Sequence, residues 1–181
     1  SLTPLPAPNS TIPARLTFND NLNVEQASEW SFKITYKSLD PANRRAGPGL
    51  ERGFSVRVVQ APQGSALENS LQRAEDQLAA KSSIPVFLST NAVANVINYN
   101  KVEGTRPNFD NDNLVPGIDP DANGTDDFAV EILAYLDLSA GIHRFGAITD
   151  DGYKITSGVS LTDTAAQAVG FHNGGPANEP F

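Results

Sequence analysis

The stretch that decides the fold is FAVEILAYLDL, which occupies residues 128–138. Apolar side chains recur there at every second position, and a period of two is the spacing of one face of a β-strand. The same alternation predicts strands at residues 29–37, where Trp30 opens the apolar face, and at residues 54–59. We expect the apolar face of the longest strand to consist of Phe128, Val130, Ile132, Ala134, Leu136 and Leu138.

Weaker strand signals occur at residues 86–88, 94–100, 142–149 and 153–156, with turn-forming residues between them. Short strands at such spacing, separated by Gly, Pro, Asn and Asp, are typical of sandwiches and barrels. The sequence therefore predicts a mainly β fold, an antiparallel β-sandwich with one short helix.

The one predicted helix spans residues 66–79. Ser65 and Glu68 match the S-x-x-E capping box that opens many helices. An apolar stripe follows at spacings of four, three and four residues, which is one face of an α-helix. We expect this stripe to pack against the core: Leu67, Leu71, Ala74 and Leu78.

Two segments of different character follow along the chain. Residues 1–14 contain four prolines and little apolar surface, which predicts an extended arm or linker. Residues 15–181 carry the predicted strands and the helix, which predicts one β-sandwich domain.

Composition excludes several classes of function. The 181-residue chain has a net charge of −8, which argues against nucleic acid and anionic membrane surfaces as partners. No apolar run approaches the roughly 18 residues that membrane insertion needs. Cysteine is absent and only two histidines occur, which excludes disulfides and argues against zinc. The absence of methionine indicates a processed product or a fragment, and we expect a secreted, extracellular protein whose signal peptide has been removed.

The negative charge excess lies in one segment. Residues 107–143 contain eight acidic residues and no Lys or Arg, whereas the other 144 residues balance 13 acids with 13 bases. Clustered carboxylates repel one another unless they are separated, protonated or bridged by a cation. A solvated acidic loop and a cation site are both open interpretations.

Within this acidic segment, residues 119–127 read DPDANGTDD, which resembles the first half of an EF-hand-type calcium loop. The twelfth position should be an acid but is Val130, so the loop is not an EF-hand. A calcium loop of another kind and a polar loop with Asx-turns stay open as alternatives. The candidate ligands are Asp119, Asp121, Asn123 and Asp127.

A second acidic pair, Asp150 and Asp151, precedes Gly152 between two predicted strands. Asp-Gly at such a place is a common hairpin turn. Adjacent carboxylates at an exposed tip can also hold a cation, which can in turn hold sugar hydroxyls. Both interpretations are open at this point.

Catalytic motifs are absent from the sequence, including the nucleophile elbow, the zinc-protease helix and the phosphate-binding loop. A carboxylate pair suited to glycoside hydrolysis can be picked from any chain with 21 acids. That signal is unspecific, and we expect a protein that is not an enzyme.

The run AYLDLSAGIHRFGAITDDGY at residues 134–153 resembles the core of the PA14 superfamily. In that core a leucine, a glycine and an aromatic strand precede an S/T-D-D-G motif. The resemblance is to PA14-like domains of large secreted surface proteins of Verrucomicrobia and Planctomycetes, and it covers residues 53–181. The segments that resemble the region before the core are residues 53–60, 73–78 and 116–118.

This resemblance implies a PA14-like β-sandwich. In sugar-binding members two adjacent aspartates bind calcium, and the calcium binds glycan hydroxyls; Asp150 and Asp151 match that pair. A later loop supplies further ligands there, and residues 171–175 are the candidate, with Asn173 as the donor. Tyr153 is a candidate sugar-stacking ring, although a buried aromatic is the favoured interpretation. We therefore expect calcium as cofactor and carbohydrate as partner.

One departure from the family leads to an alternative function. Two further strands follow the segment that matches residues 172–181 in those domains, whereas this sequence ends at Phe181. Either the sequence is cut before those strands or the sandwich lacks them, and both interpretations are open. An incomplete sandwich would have unpaired edges that another copy can complete, for example with its residues 1–14. The alternative is thus a self-assembling structural subunit of a surface layer, filament or adhesin.

Overall fold

The computed structural model describes residues 10–33, 37–45, 52–81, 83–100, 112–160, 165–175 and 177–180, together with Ala7 and Asp163. The fold class is confirmed: the chain is mainly β, with 39% strand and 11% helix, in antiparallel sheets that are consistent with a β-sandwich. The chain forms two compact units, Ser1–Pro41 and Ala42–Phe181.

The first unit is a β-hairpin. Strand β1 (Thr11–Asn19) pairs antiparallel with β2 (Glu25–Lys33). Its turn is shaped by Asp20, whose Oδ1 accepts the backbone N–H groups of Leu22 at 2.9 Å and Val24 at 3.0 Å. Because β1 begins at Thr11, the last four residues of the segment predicted as an arm are paired strand.

The two faces of the hairpin differ sharply in chemistry. Residues opposite each other on paired strands share a face, and the register sets Ala14 opposite Trp30 and Arg15 opposite Glu29. One face therefore carries apolar side chains, and the other carries the Arg15–Glu29 ion pair at 3.5 Å. Trp30 is 43% exposed, so the predicted half-buried strand is an exposed one; residues 34–36 of that prediction lie outside the described residues.

The second unit contains nine strands and two helices within the described residues. In chain order these are β3 (Phe54–Gln60), α1 (Leu71–Leu78), β4 (Leu88–Ala94), β5 (Tyr99–Asn100), β6 (Asn113–Leu114), α2 (Pro120–Asn123), β7 (Phe128–Leu133), β8 (Gly146–Thr149), β9 (Tyr153–Ser157), β10 (Gln167–His172) and β11 (Ala177–Pro180). The strands form an antiparallel sheet β4-β3-β7, the antiparallel pairs β8/β11 and β9/β10, and a short parallel pair β5/β6.

The core lies on the central strand β3. Val56 and Val58 are fully buried and pack with Val115 and Ile118, which confirms the predicted alternation. On the opposite face of β3, Arg57 Nη2 donates to the carbonyl of Leu78 in α1 at 2.5 Å. Val59 on this face is buried and Ser55 is exposed, so β3 is buried on both sides only towards its C-terminal end.

The helix differs from its prediction at the N-terminus. α1 begins at Leu71, and its N-cap is Ser70, whose Oγ accepts from the backbone N–H of Arg73 at 3.2 Å. Ser65 instead donates its hydroxyl to the carbonyl of Pro62 at 2.6 Å, so the predicted capping box is wrong. α2 is a second helix that was not predicted, and Asp119 caps it.

Strand ends also differ, because pairing partners set them. β7 ends at Leu133 and not at residue 138, since Leu133 already pairs with Ser55 near the start of β3. Beyond that point Tyr135 receives the guanidinium of Arg45, 4.3 Å from its ring centre. The predicted strand at residues 142–149 shortens to Gly146–Thr149. The strands predicted at 86–88 and 94–100 are largely wrong: the first shares only Leu88 with β4, and of the second only Ala94, in β4, and Tyr99–Asn100, which form β5, are strand.

Candidate functional site

The acidic pair Asp150 and Asp151 lies between β8 and β9. These two strands do not pair with each other: β8 pairs with β11, and β9 pairs with β10. The interpretation of this segment as a plain hairpin turn is therefore wrong. Residues 150–152 instead carry the chain from one strand pair to another, and both aspartates are exposed.

A second loop lies directly against this segment. The β9/β10 register sets His172 opposite Tyr153, so residues 173–175 run past residues 150–152. A Cβ at Gly152 would lie 2.8 Å from both the carbonyl oxygen of His172 and the backbone nitrogen of Gly174. Glycine at position 152 is what allows the two backbones to approach this closely.

The start of α1 contacts both loops through side-chain hydrogen bonds. Asn69 donates its Nδ2 to Oδ1 of Asp151 at 2.5 Å. The backbone N–H of Leu71 donates to Oδ1 of Asn173 at 2.9 Å. The two residues that the sequence marked as ligands on separate loops, Asp151 and Asn173, are therefore brought to one place by the same three residues of chain.

An ion pair joins the same elements one turn further along the helix. Lys154, the second residue of β9, places its Nζ 2.6 Å from Oε1 of Glu75 on α1. Both side chains are partly exposed, so the pair itself contributes at most about 1 kcal/mol. The ion pair shows which side of β9 faces the helix.

Asn69 is the residue that the sequence did not single out. The predicted helix began at residue 66 and so placed Asn69 inside its first turn. The available signal was Asn69-Ser70, because Asn and Ser favour the positions just before a helix. That signal places Asn69 in a loop but does not reveal its partner, which is 82 residues away in sequence.

The aromatic residues of this region differ in exposure. Tyr153, the predicted sugar-stacking candidate, is half-buried at the start of β9, and its role stays a prediction. Phe171 on β10 is 61% exposed. Phe171, two residues before Asn173, is therefore the more exposed of the two rings. The sequence predicted it as part of the candidate loop but not as a stacking residue.

The other predicted cation loop, residues 119–127, is held by its own polar groups. Oδ1 of Asp119 accepts the backbone N–H groups of Asp121 at 2.9 Å and Ala122 at 3.3 Å, as an N-cap does. Asn123 is 6% exposed; its Nδ2 donates to the carbonyl of Ala61 at 2.8 Å, and its Oδ1 accepts from the backbone of Gln63 at 2.8 Å.

The far end of this loop is fastened by two buried glutamines. Gln60 donates its Nε2 to the carbonyls of Gly124 and Asp126, both at 3.1 Å. Gln77 donates to the carbonyl of Asp127 at 2.9 Å, while Oδ1 of Asp127 accepts the N–H of Leu67 at 3.3 Å. The arrangement is that of a polar loop with capping and Asx interactions, the second of the two interpretations.

Across the described parts of the chain, no group of three or more His, Asp or Glu side chains is arranged to hold a metal ion. Asp119 and Asp127 serve different parts of the main chain, since Asp119 caps α2 and Asp127 accepts from Leu67. The region around Gly152 offers a different donor set, with two carboxylates and one amide.

Comparison with known proteins adds no relative: no family model, no curated protein and no solved structure matches the chain. Among the helices that the structure describes, none is long and apolar enough to cross a membrane.

Proposed function

We propose that the protein is a non-catalytic extracellular module that binds calcium and, through the calcium, carbohydrate. The site is formed by Asp150, Asp151 and Asn173. The observation that carries the proposal is the contact of the two loops at Gly152, where backbone atoms approach so closely that a Cβ would lie 2.8 Å from two of them. The loop that carries the two carboxylates thereby lies against the loop that carries the amide of Asn173.

The donor chemistry fits a hard cation. Calcium takes six to eight oxygen ligands from carboxylates, amide and backbone carbonyls and water. A carboxylate offers about four lone-pair sites and an amide oxygen two. Asp151 and Asn173 each use one acceptor site for a hydrogen bond to residues 69–71, which leaves oxygen lone pairs for a metal.

The exposure of the site fits an exogenous ligand. Asp150, Asp151 and Asn173 are all exposed, so bound calcium keeps coordination positions that water fills and that sugar hydroxyl pairs replace. The cation also neutralises two adjacent carboxylates that otherwise repel each other. Phe171 is 61% exposed and is the more accessible ring for stacking against a sugar, while the half-buried Tyr153 stays the candidate from the sequence.

A second, structural calcium in the loop of residues 119–127 stays a prediction. This loop has fewer free oxygen lone pairs than the region around Gly152, because Oδ1 of Asp119 accepts two backbone N–H groups and Asn123 is buried with both amide atoms hydrogen-bonded to the main chain. The side chain of Asp121 is exposed, and one carboxylate does not make a calcium site.

The test is calcium-dependent glycan binding by charge-removing, shape-preserving variants. Asp150→Asn and Asp151→Asn remove a carboxylate but keep an oxygen, and Asp151→Asn keeps the acceptor for Asn69. Asp137→Asn is the matched control, because Asp137 is exposed and lies outside the site. Calcium affinity is measured by calorimetry, and sugar binding is measured on a glycan array with calcium and with EDTA.

We expect Asp150→Asn and Asp151→Asn to lose calcium affinity by tenfold or more and to lose array signal, while Asp137→Asn behaves as the wild type. Array binding that persists in EDTA contradicts the proposal. So does wild-type protein that binds no calcium at millimolar concentration.

One observation favours the alternative function, a self-assembling surface subunit. The β1–β2 hairpin exposes an apolar face, and a two-stranded hairpin alone is marginally stable in water. Residues 11–14 already pair with β2 in the same chain, so association through this unit would use its face and not strand donation by those residues. Sedimentation across a concentration series separates the two functions: a monomer that binds glycans supports the first, and ordered polymers without glycan binding support the second.

A further inference from the structure

We propose that residues 69–71, at the start of α1, form a built-in frame that sets the positions of two calcium ligands before the cation arrives, with Asn69 as the positioning residue. This inference rests on the proposed function, because it concerns the same site. It assigns to residues 69–71 a role that neither the acidic pair nor the loop after β10 implies.

The frame reaches each ligand by a separate hydrogen bond. The Asn69 side chain donates to Oδ1 of Asp151 at 2.5 Å, and the Leu71 backbone donates to Oδ1 of Asn173 at 2.9 Å. Asp151 and Asn173 belong to different loops, 22 positions apart in sequence. A donor pair two residues apart on one rigid segment therefore fixes the relative placement of both loops.

Backbone packing supports the same arrangement. A Cβ at Gly174 would lie 3.0 Å from the carbonyl oxygen of Asn69, so the second loop is seated against the frame as well as against Gly152. The Glu75–Lys154 ion pair at 2.6 Å joins α1 to β9 just after the acidic pair. The frame and the first turns of α1 thus contact both segments that carry the candidate ligands.

The frame also rests on a rigid support. Ser70 caps α1, and the other end of the helix is held by Gln77, which is fully buried and donates to the carbonyls of Val59 and Asp127. Because Val59 lies in the central strand β3, the position of Asn69 is tied to the core of the unit. A ligand-positioning residue needs this kind of support to act.

The geometry is that of a residue that orients a metal ligand and does not itself bind the metal. Carboxylates that bind metals are usually hydrogen-bonded by an outer group, and removal of that group typically lowers metal affinity about 10- to 100-fold. Asn69 donates to Oδ1 of Asp151 and does not contact Oδ2 of the same carboxylate. The cation consequently meets a carboxylate whose rotamer is already fixed, and less side-chain freedom is lost on binding.

The coupling is reciprocal. If the frame strengthens calcium binding, calcium must strengthen the frame by the same factor. Calcium that holds Asn173 should therefore slow the opening that exposes the Leu71 N–H to solvent exchange. At 100 times the dissociation constant the slowing has an upper limit of about 100-fold.

The experiment compares Asn69→Ala with Gln72→Ala in the full chain. Gln72 is a matched control, because it is an exposed amide of the same helix whose Nε2 donates to the carboxylate of Asp76 at 2.7 Å and not to a candidate ligand. Calcium affinity is measured by calorimetry with calcium chloride as the probe. Hydrogen exchange of the Leu71 amide is followed in wild-type protein with EDTA and with calcium.

We expect Asn69→Ala to weaken calcium binding about 10- to 100-fold, Gln72→Ala to leave it unchanged, and calcium to slow Leu71 exchange. Equal calcium affinity in the two variants overturns the frame and leaves the proposed function intact. Faster Leu71 exchange in calcium also overturns it, because Asn173 would then leave the helix to reach the cation; this measurement decides the matter even if Asn69→Ala does not fold. Wild-type protein that binds no calcium refutes the proposed function itself.

Discussion

Replacing Gly152 by alanine tests the contact on which the candidate site depends. The added Cβ would lie 2.8 Å from two backbone atoms, the carbonyl oxygen of His172 and the nitrogen of Gly174, and neither can rotate away. Ordinary contact begins near 3.4 Å, so the two loops must separate by about 0.6 Å. The φ of Gly152 is outside the left-handed region, which means that packing and not backbone strain is the quantity under test.

Separation of the two loops should lower both the stability of the fold and its affinity for calcium. Overpacking of a closely fitted region costs about 1–3 kcal/mol. At about 2–4 °C per kcal/mol for a domain near this size, the unfolding midpoint should fall by about 2–12 °C. Metal–ligand distances tolerate shifts of about 0.2 Å, so a separation of 0.6 Å should also weaken calcium binding about tenfold or more.

Thermal unfolding in EDTA and calorimetric calcium titration measure the two effects separately. Gly64→Ala is the control: its φ is +79° but its Cβ meets nothing within 4 Å, so it should lose stability through backbone strain and keep its calcium affinity. An unfolding midpoint for Gly152→Ala equal to that of the wild type refutes the described contact. A lowered midpoint with unchanged calcium affinity refutes Asn173 as a ligand.

Two further predictions concern the rest of the chain. Gln77→Leu should lower the free energy of unfolding by about 2–6 kcal/mol, because Gln77 is fully buried and two carbonyl groups lose their donor at about 1–3 kcal/mol each; denaturant unfolding measures this, and a loss no larger than that of the exposed Gln72→Leu contradicts it. In the hairpin turn, backbone N–H groups of Val24 and Leu22 lower the pKa of Asp20 below its ordinary value of 3.8. The turn should therefore be fully stabilised above pH 3.8 and lose that stabilisation as the pH falls through the lower pKa of the folded state. An NMR titration of the Asp20 carboxyl detects this change. A titration midpoint above 3.8 contradicts the prediction.

The sequence predicts the fold class because its strongest signals are local. The alternation at residues 54–59 and 128–133 gives the two strands that build the core sheet, and the structure has both. Strand length is not a local property. The apolar alternation continues to residue 138, but β7 ends at Leu133, which pairs with Ser55, the second residue of β3. No pattern within residues 134–138 reveals that limit.

The start of helix α1 is likewise set partly by local sequence and partly by a distant contact. Ser65 and Ser70 are both acceptable caps by sequence, and Ser65 has the better motif because Glu68 follows it. The structure selects Ser70, where Asn173 adds a second acceptor for the first N–H groups of the helix. That acceptor is 102 residues away, so a distant loop favours Ser70 over the stronger local signal at Ser65.

For the candidate site, residue types were predictable and the arrangement was not. Asp150 and Asp151 were identified as an acidic pair before a glycine, and Asn173 through resemblance to a family motif. The structure brings Asp151 and Asn173 to the same segment. The acidic loop of residues 119–127 had the stronger calcium-like spacing but its oxygens serve the backbone. Spacing alone does not distinguish a carboxylate that caps a helix from one that holds a cation.

The buried amides of Gln60, Gln77 and Asn123 have a consequence for how the acidic loop can change. They hold its main chain from the inside, through carbonyl and N–H groups that every residue possesses. The exposed carboxylate of Asp121 therefore takes no part in maintaining the path of the loop. The charge at position 121 can therefore be changed by mutation while the main chain keeps its path, whereas Asp119 and Asp127 accept backbone N–H groups and are needed for it.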